Sequence, residues 1–159
     1  MNRIFGTCRY CFLLLLIGYV PVSQADDFHM STEPLYFLLE ASNLALDYRL
    51  GESWSAGFQY AAIDGGRSGR NLSGLQFFYS RKARVFENSE VLKIYVGRLS
   101  PNTKLLGIET SNQAIPMLEF LYGYRWVFKK NLTLSIQTGV FFTEKKIYPG
   151  LSIPVGYMF

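Results

Sequence analysis

The last nine residues, Leu151-Ser-Ile-Pro-Val-Gly-Tyr-Met-Phe159, set Leu151, Ile153, Val155, Tyr157 and Phe159 against smaller or weakly polar neighbours. A period of two gives a β-strand one apolar face and one face of different character. The same period recurs along the chain. Leu132, Leu134, Ile136, Thr138, Val140 and Phe142 alternate with Thr133, Ser135, Gln137 and Gly139. Leu118, Phe120, Tyr122, Tyr124 and Trp126 alternate with Glu119, Leu121, Gly123 and Arg125. Trp54, Ala56, Phe58, Tyr60 and Ala62 oppose Ser55, Gly57, Gln59 and Ala61, with Ile63 falling on the more polar face. Leu44, Leu46, Tyr48 and Leu50 oppose Ala45, Asp47 and Arg49. Two shorter runs, around Leu75–Tyr79 and Leu92–Val96, behave alike. Their β-branched and aromatic content suits strands, and no segment sustains a helical period, so the chain reads as all-β.

Eight antiparallel strands follow if residues 35–41 form the first and turn at Ser42-Asn43. One long bent strand through to Leu50 is the alternative, and the pattern leaves both open. Three connections are short, at 51–53, 84–90 and 128–131, and they interleave with longer ones at 64–73, 100–114 and 144–150. Such alternation is expected of an antiparallel up-and-down barrel. Pro154 cannot donate to a ladder, which predicts an irregularity near the outer third of the last strand.

The N-terminus has a different character. Arg3 and Arg9 precede the apolar run Cys11–Val20, and Ser23-Gln24-Ala25 offers a small-residue cleavage site, the layout of a secretory signal peptide over residues 1–25. The apolar run is about half the ~20 residues that a spanning helix needs. Both cysteines, Cys8 and Cys11, lie in that segment, so their C-x-x-C spacing carries no redox or metal chemistry and the mature chain has no disulfide. Losing Arg3 and Arg9 lowers the net charge from +4 to +2, which removes the support for a nucleic-acid partner. The expected division is a signal peptide (1–25), a polar N-terminal segment (26–34) and one barrel domain (35–159).

Alternation alone does not decide which face meets water. About thirty large apolar side chains would have to fill a closed barrel if they pointed inward, where a comparable barrel core holds about twelve. The opposite faces carry Gly, Ser, Thr, Gln and charged residues, which suit a narrow hydrogen-bonded lumen. An eight-stranded antiparallel transmembrane β-barrel with its apolar face in lipid is therefore expected; a two-sheet sandwich is the alternative.

Asp47, Arg49, Lys93, Glu119 and Arg125 fall on the inward face. Charges in a narrow lumen need partners. A salt-bridged plug is the expectation, with Asp47, Arg49 and Arg125 pairing near the short turns and Glu119 nearer the far end. A narrow gated channel lined by the same charges is the alternative. Arg67, Arg70, Lys104, Lys145 and Lys146 lie in the longer loops, where basic groups suit lipopolysaccharide phosphates or remain solvated. His29 is the single histidine and stands in the polar segment, with no cysteine partners and no His-x-Ser pair on a predicted strand. No catalytic residue, metal site or cofactor is expected. Asp64-Gly-Gly-Arg-Ser-Gly69 lacks the Lys-Ser/Thr of a phosphate-binding loop.

The flush ending at Phe159 resembles the terminal strand of bacterial outer-membrane barrels. There this ending, here Tyr157 and Phe159, is a signal to the barrel assembly machinery. Residues 35–57, with Asn43-Leu44, Asp47-Tyr48 and Trp54-Ser55-Ala56-Gly57, resemble the opening hairpins of small outer-membrane barrels, and 123–134 resembles a later hairpin of the same group. The broader match is the OmpA/OmpX-like class of eight-stranded barrels. Membership implies a Gram-negative outer membrane, lipid and lipopolysaccharide around the wall, and host or surface ligands at the loops. The class has no single activity: adhesion, envelope integrity and small-solute passage all occur. Lipid A-modifying enzymes share the barrel size, but no catalytic residue carries over. The peptidoglycan-binding domain that some members carry is not expected here.

Overall fold

Each strand pairs with the next and the last returns to the first, so hydrogen-bonded ladders close around one end of the molecule. The computed structural model describes residues 27–39, 41–63, 69–81, 87–105, 108–128, 131–144 and 146–159. The expected signal peptide lies outside them. The staves are β1 (Phe28–Thr32), β2 (Ala41–Arg49), β3 (Trp54–Ile63), β4 (Asn71–Ser80), β5 (Ser89–Leu99), β6 (Ile115–Val127) and β7 (Leu132–Thr143). The last, β8, comes in two segments, Ile147–Ser152 and Val155–Met158. All neighbours are antiparallel, and β8 closes onto β1 with His29 opposite Met158 and Thr32 opposite Val155. The Phe159 N–H donates to the Phe28 carbonyl at 2.9 Å, fastening the first and last staves together. The chain is an eight-stranded antiparallel closed barrel.

The first stave differs from the expected one. Residues 35–39 belong to a 3-10 helix, Pro34–Leu39, and Ser42-Asn43 lies within β2 rather than at a turn. The barrel therefore begins at Phe28, inside the expected polar N-terminal segment 26–34, and neither the one-strand nor the two-strand form of 35–50 occurs. Local chemistry explains the change. The Thr32 hydroxyl donates to the Asn43 carbonyl at 2.9 Å, and the Glu33 N–H donates to the Asn43 side chain at 2.6 Å. These bonds end the β1–β2 ladder. Pro34 then has no N–H for a strand and suits the first position of a helical turn. The six-residue run from Phe28 to Glu33 still alternates, with His29, Ser31 and Glu33 buried.

Pro154 interrupts β8 near its middle, not in its outer third. The reason is length: β8 reaches back to Ile147, so residue 154 is more central than a strand starting at Leu151 implies. The register on β7 is the same on both sides, with Ser152 opposite Gln137 and Val155 opposite Leu134. Ser135 N–H still donates to the Pro154 carbonyl at 3.0 Å. The proline removes one donor and inserts no bulge.

At one end lie Phe28, Phe159 and the strand ends that flank residues 50–53, 81–88 and 128–131. At the other lie the strand ends that flank residues 33–40, 64–70, 100–114 and 144–146. Within the long β5–β6 connection, Lys104–Leu105 and Ile108–Glu109 form a small hairpin. Buried Thr110 holds its base, accepting from the Thr103 N–H at 2.7 Å and donating to the Ser100 carbonyl at 2.8 Å. This ties the hairpin down so that Leu105 and Ile108 join the interior cluster with Leu72, Leu99, Met117 and Phe141.

Candidate functional site: the barrel lumen

The two faces of the wall have inverted polarity. Leu44, Leu46, Tyr48, Trp54, Phe58, Tyr60, Leu75, Val96, Tyr122, Ile136 and Leu151 are among the large apolar side chains exposed outside. Inside, Asp47 is 0 %, Arg125 1 %, His29 3 % and Lys93 4 % exposed. Aromatic pairs collect on the outside at the terminal end: Phe28 with Tyr48, Trp54 with Tyr79, Tyr124 with Trp126, and Tyr157 with Phe159, all with centroids 4.8–5.1 Å apart.

The terminal half of the lumen is a polar network. Asp47 on β2 accepts from Gln76 Nε2 on β4 at 2.7 Å and from His29 Nδ1 on β1 at 3.2 Å. With Nδ1 donating, the other ring nitrogen of a neutral imidazole accepts, and His29 Nε2 lies 2.8 Å from the Thr133 hydroxyl on β7. Arg125 reaches Ser135 Oγ at 3.4 Å and lies 4.8 Å from the Phe78 ring centre. A neutral or charged group here is tolerable because its partners are fixed by the ladders around it.

The Asp47–His29–Thr133 line has the order of an acid–imidazole–hydroxyl relay, and β1 does carry a His29-x-Ser31 pair that was not expected on a strand. Its surroundings are tightly packed. Thr133 is 2 % exposed, and a methyl group at Gly156 would collide with the His29 ring and the Met30 carbonyl. A methyl at Gly57 would collide with the Asp47 carboxylate in the same way. Glycine is required where strand backbone and buried side chains approach this closely.

The loop half combines one ion pair with apolar packing. Lys93 on β5 pairs with Glu119 on β6 at 3.1 Å and donates to Gln59 on β3 at 3.2 Å. Glu33 holds the Ser152 hydroxyl at 2.7 Å and takes the Ile153 N–H on its other oxygen. Above them Ile63, Leu72, Tyr95, Leu99 and Phe141 pack with Tyr36 of the 3-10 helix and with the loop hairpin.

The five inward charges expected from the sequence thus separate into distinct groups. Lys93 and Glu119 pair with each other. Asp47 is bonded to His29 and Gln76, with Arg125 as an electrostatic neighbour. Arg49 stands at the rim, 3.8 Å from Asp27. Among the basic loop residues, Lys104 and Lys146 are exposed and Arg70 is partly buried; Lys104 lies 3.9 Å from Glu109. Arg67 and Lys145 lie outside the described residues. Sequence reasoning missed His29, Glu33, Gln59, Gln76, Thr133 and Ser152. The short alternation at Phe28–Glu33 was the available signal for the first two.

Among the described residues, no group of three or more His, Cys, Asp or Glu side chains could hold a metal ion. No described helix is long and apolar enough to cross a membrane, which says nothing of crossing by strands. No protein-family model, no curated protein and no solved structure matches the chain.

Proposed function

We propose that this chain is an exported outer-membrane barrel with a structural or surface-interaction role and a plugged lumen. The observation that carries this is the inversion of polarity: large apolar side chains ring the outside while Asp47, His29, Lys93 and Arg125 are buried inside. Bilayer strands must satisfy every backbone group internally and present apolar side chains outward, which a closed barrel of this polarity does. The exposed aromatic pairs at the terminal end fit an interfacial belt, with that end in the periplasm. Lys104 and Lys146 then stand at the external surface, where lipopolysaccharide phosphates are their natural partners. The 1–25 leader supplies export, and the assembly machinery reads the Tyr157–Phe159 ending.

Electrophoretic mobility before and after boiling tests the barrel in its membrane form. The unboiled protein should run as a compact band that shifts on heating, and extraction of the protein from cells by carbonate washing alone would overturn a membrane-integral assignment. Deleting Phe159 should lower the amount inserted in outer membranes while export proceeds. Planar bilayers should show no stepwise conductance, because Leu105, Ile108 and Tyr36 pack across the loop end.

A further inference from the structure

The wall is not uniform. At the terminal end each stave has two partners. Among the described residues, the Ile147–Ser152 segment of β8 pairs with β7 alone, because β1 stops at Thr32. The 3-10 helix Pro34–Leu39 stands at this height instead of a strand. Glu33 fastens its base to Ser152 and Ile153, but no ladder continues above that point.

A cavity of about 450 Å³ lies at this seam. Its inner wall includes Phe141 and Tyr148, whose rings stack 5.0 Å apart, with Lys93 and Glu119 beyond. Its other wall includes Leu35 of the helix and Pro149 and Leu151 of β8. Phe141 is 4 % exposed whereas Leu151 is 59 % exposed on the outer face. The cavity thus reaches from the buried interior to a residue of the outer face. On the outer side its lining ends at Leu151, part of the exposed apolar surface.

The chemistry of the occupant follows. The volume is within the usual range for a small-molecule site. The charges at its inner end already have partners, Lys93 with Glu119 and Glu33 with Ser152, so no charged head group is called for inside. An uncharged, flexible apolar group can enter from an apolar surface without first being hydrated. We infer that the cavity receives one hydrocarbon chain of a membrane lipid, which enters between the 3-10 helix and the unpaired edge of β8 while its head group stays outside. This rests on the membrane assignment above.

Fluorescence quenching by phosphatidylcholine brominated in mid-chain tests it. Wild-type protein, with its two tryptophans Trp54 and Trp126, reports contact between the outer surface and lipid. A variant carrying Trp54→Phe, Trp126→Phe and Tyr148→Trp reports the cavity. The same background with Phe78→Trp reports the closed terminal half of the lumen. The expected result is strong quenching of the wild type and of the Tyr148→Trp variant, with the Phe78→Trp variant bright. If the wild type is quenched but the Tyr148→Trp variant stays as bright as the Phe78→Trp control, the cavity is closed to lipid and the inference is wrong. If the wild type is not quenched, the membrane assignment itself fails and this inference with it. Where Tyr148→Trp gives no heat-shifted band, Phe141→Trp carries the same comparison.

Discussion

The two halves of the lumen solve the same packing problem differently. In the terminal half all eight staves are laddered on both sides, and the interior is built from His29, Asp47, Gln76, Arg125 and Thr133 held at hydrogen-bond distances. In the loop half the wall lacks one strand, and the interior is mainly Ile63, Leu72, Leu99, Leu105, Ile108 and Phe141. A polar network is directional, so every partner must be fixed by a rigid frame. Apolar burial is not directional and tolerates a 3-10 helix and a loop hairpin in place of a regular wall. Where the ladder is complete the molecule buries polar groups; where it is incomplete it relies on hydrophobic packing.

The largest expected effect is at the centre of the polar half. Asp47→Ala leaves His29 and Gln76 without their shared acceptor, and breaking such a buried charged contact costs about 3–5 kcal/mol. Urea titration of the heat-shifted band would measure it; a loss below about 1 kcal/mol, the worth of one ordinary hydrogen bond, would show that the network is not what holds this half together. Next comes Leu105→Ala in the loop half, where Leu-to-Ala truncation in a core costs about 2–5 kcal/mol. The low end is expected because the hairpin sits on a connection that can settle into the space. Amide exchange should quicken at Ile63 and Leu99 and not at Asp47 or Gln76; faster exchange in both halves would mean that they do not open separately.

Much of this division was legible beforehand, and the illegible part has a physical cause. A period of two is a local property, so the outward and inward faces of most strands between Leu44 and Phe159 could be assigned, although Ile147–Gly150, expected in a connection, belong to β8. The inward charges Asp47, Lys93, Glu119 and Arg125 follow from the same rule. Partner choice is not local. Lys93 meets Glu119 because Lys93 is opposite Leu121 and the glutamate is two residues along β6, on the same face. Asp47 meets His29 because the two are directly opposite across β1 and β2. Those facts depend on register and closure, which alternation alone does not specify. The first stave was missed because Leu35–Leu39 is a more apolar run than Phe28–Thr32. Its five neighbouring hydrophobic or aromatic residues drew the assignment away from a shorter strand. Asn43 and Pro34, which end β1, act through a side-chain cap and a missing donor and leave no periodic trace.

The ion pair in the loop half gives a smaller and more discriminating test. Glu119→Gln should cost about 1.5–3 kcal/mol, the range for a hydrogen bond to a charged group, because Lys93 retains Gln59. The double variant Lys93→Met with Glu119→Gln should recover part of that loss, since no buried ammonium is left behind. If the double variant is instead the weaker of the two by urea titration, the pair contributes more than apolar packing could at that position, and the contrast between the halves is less sharp than drawn above.

The smallest effect is expected where neither half reaches. Gln137 on β7 is 0 % exposed, and both polar atoms of its amide lack a hydrogen-bond partner among the described residues. It stands opposite Gly123 on one side and Ser152 on the other, between the Asp47 network and the Glu33–Ser152 contact. An unsatisfied buried amide is destabilising, and replacing it with an apolar group of similar size is close to neutral or favourable. Gln137→Leu should therefore change the urea midpoint little or raise it, by up to about 1 kcal/mol in stability. A clear loss would mean that the amide is satisfied in solution. The polar half would then extend across the middle of the barrel and meet Glu33, joining the two regions into one continuous network.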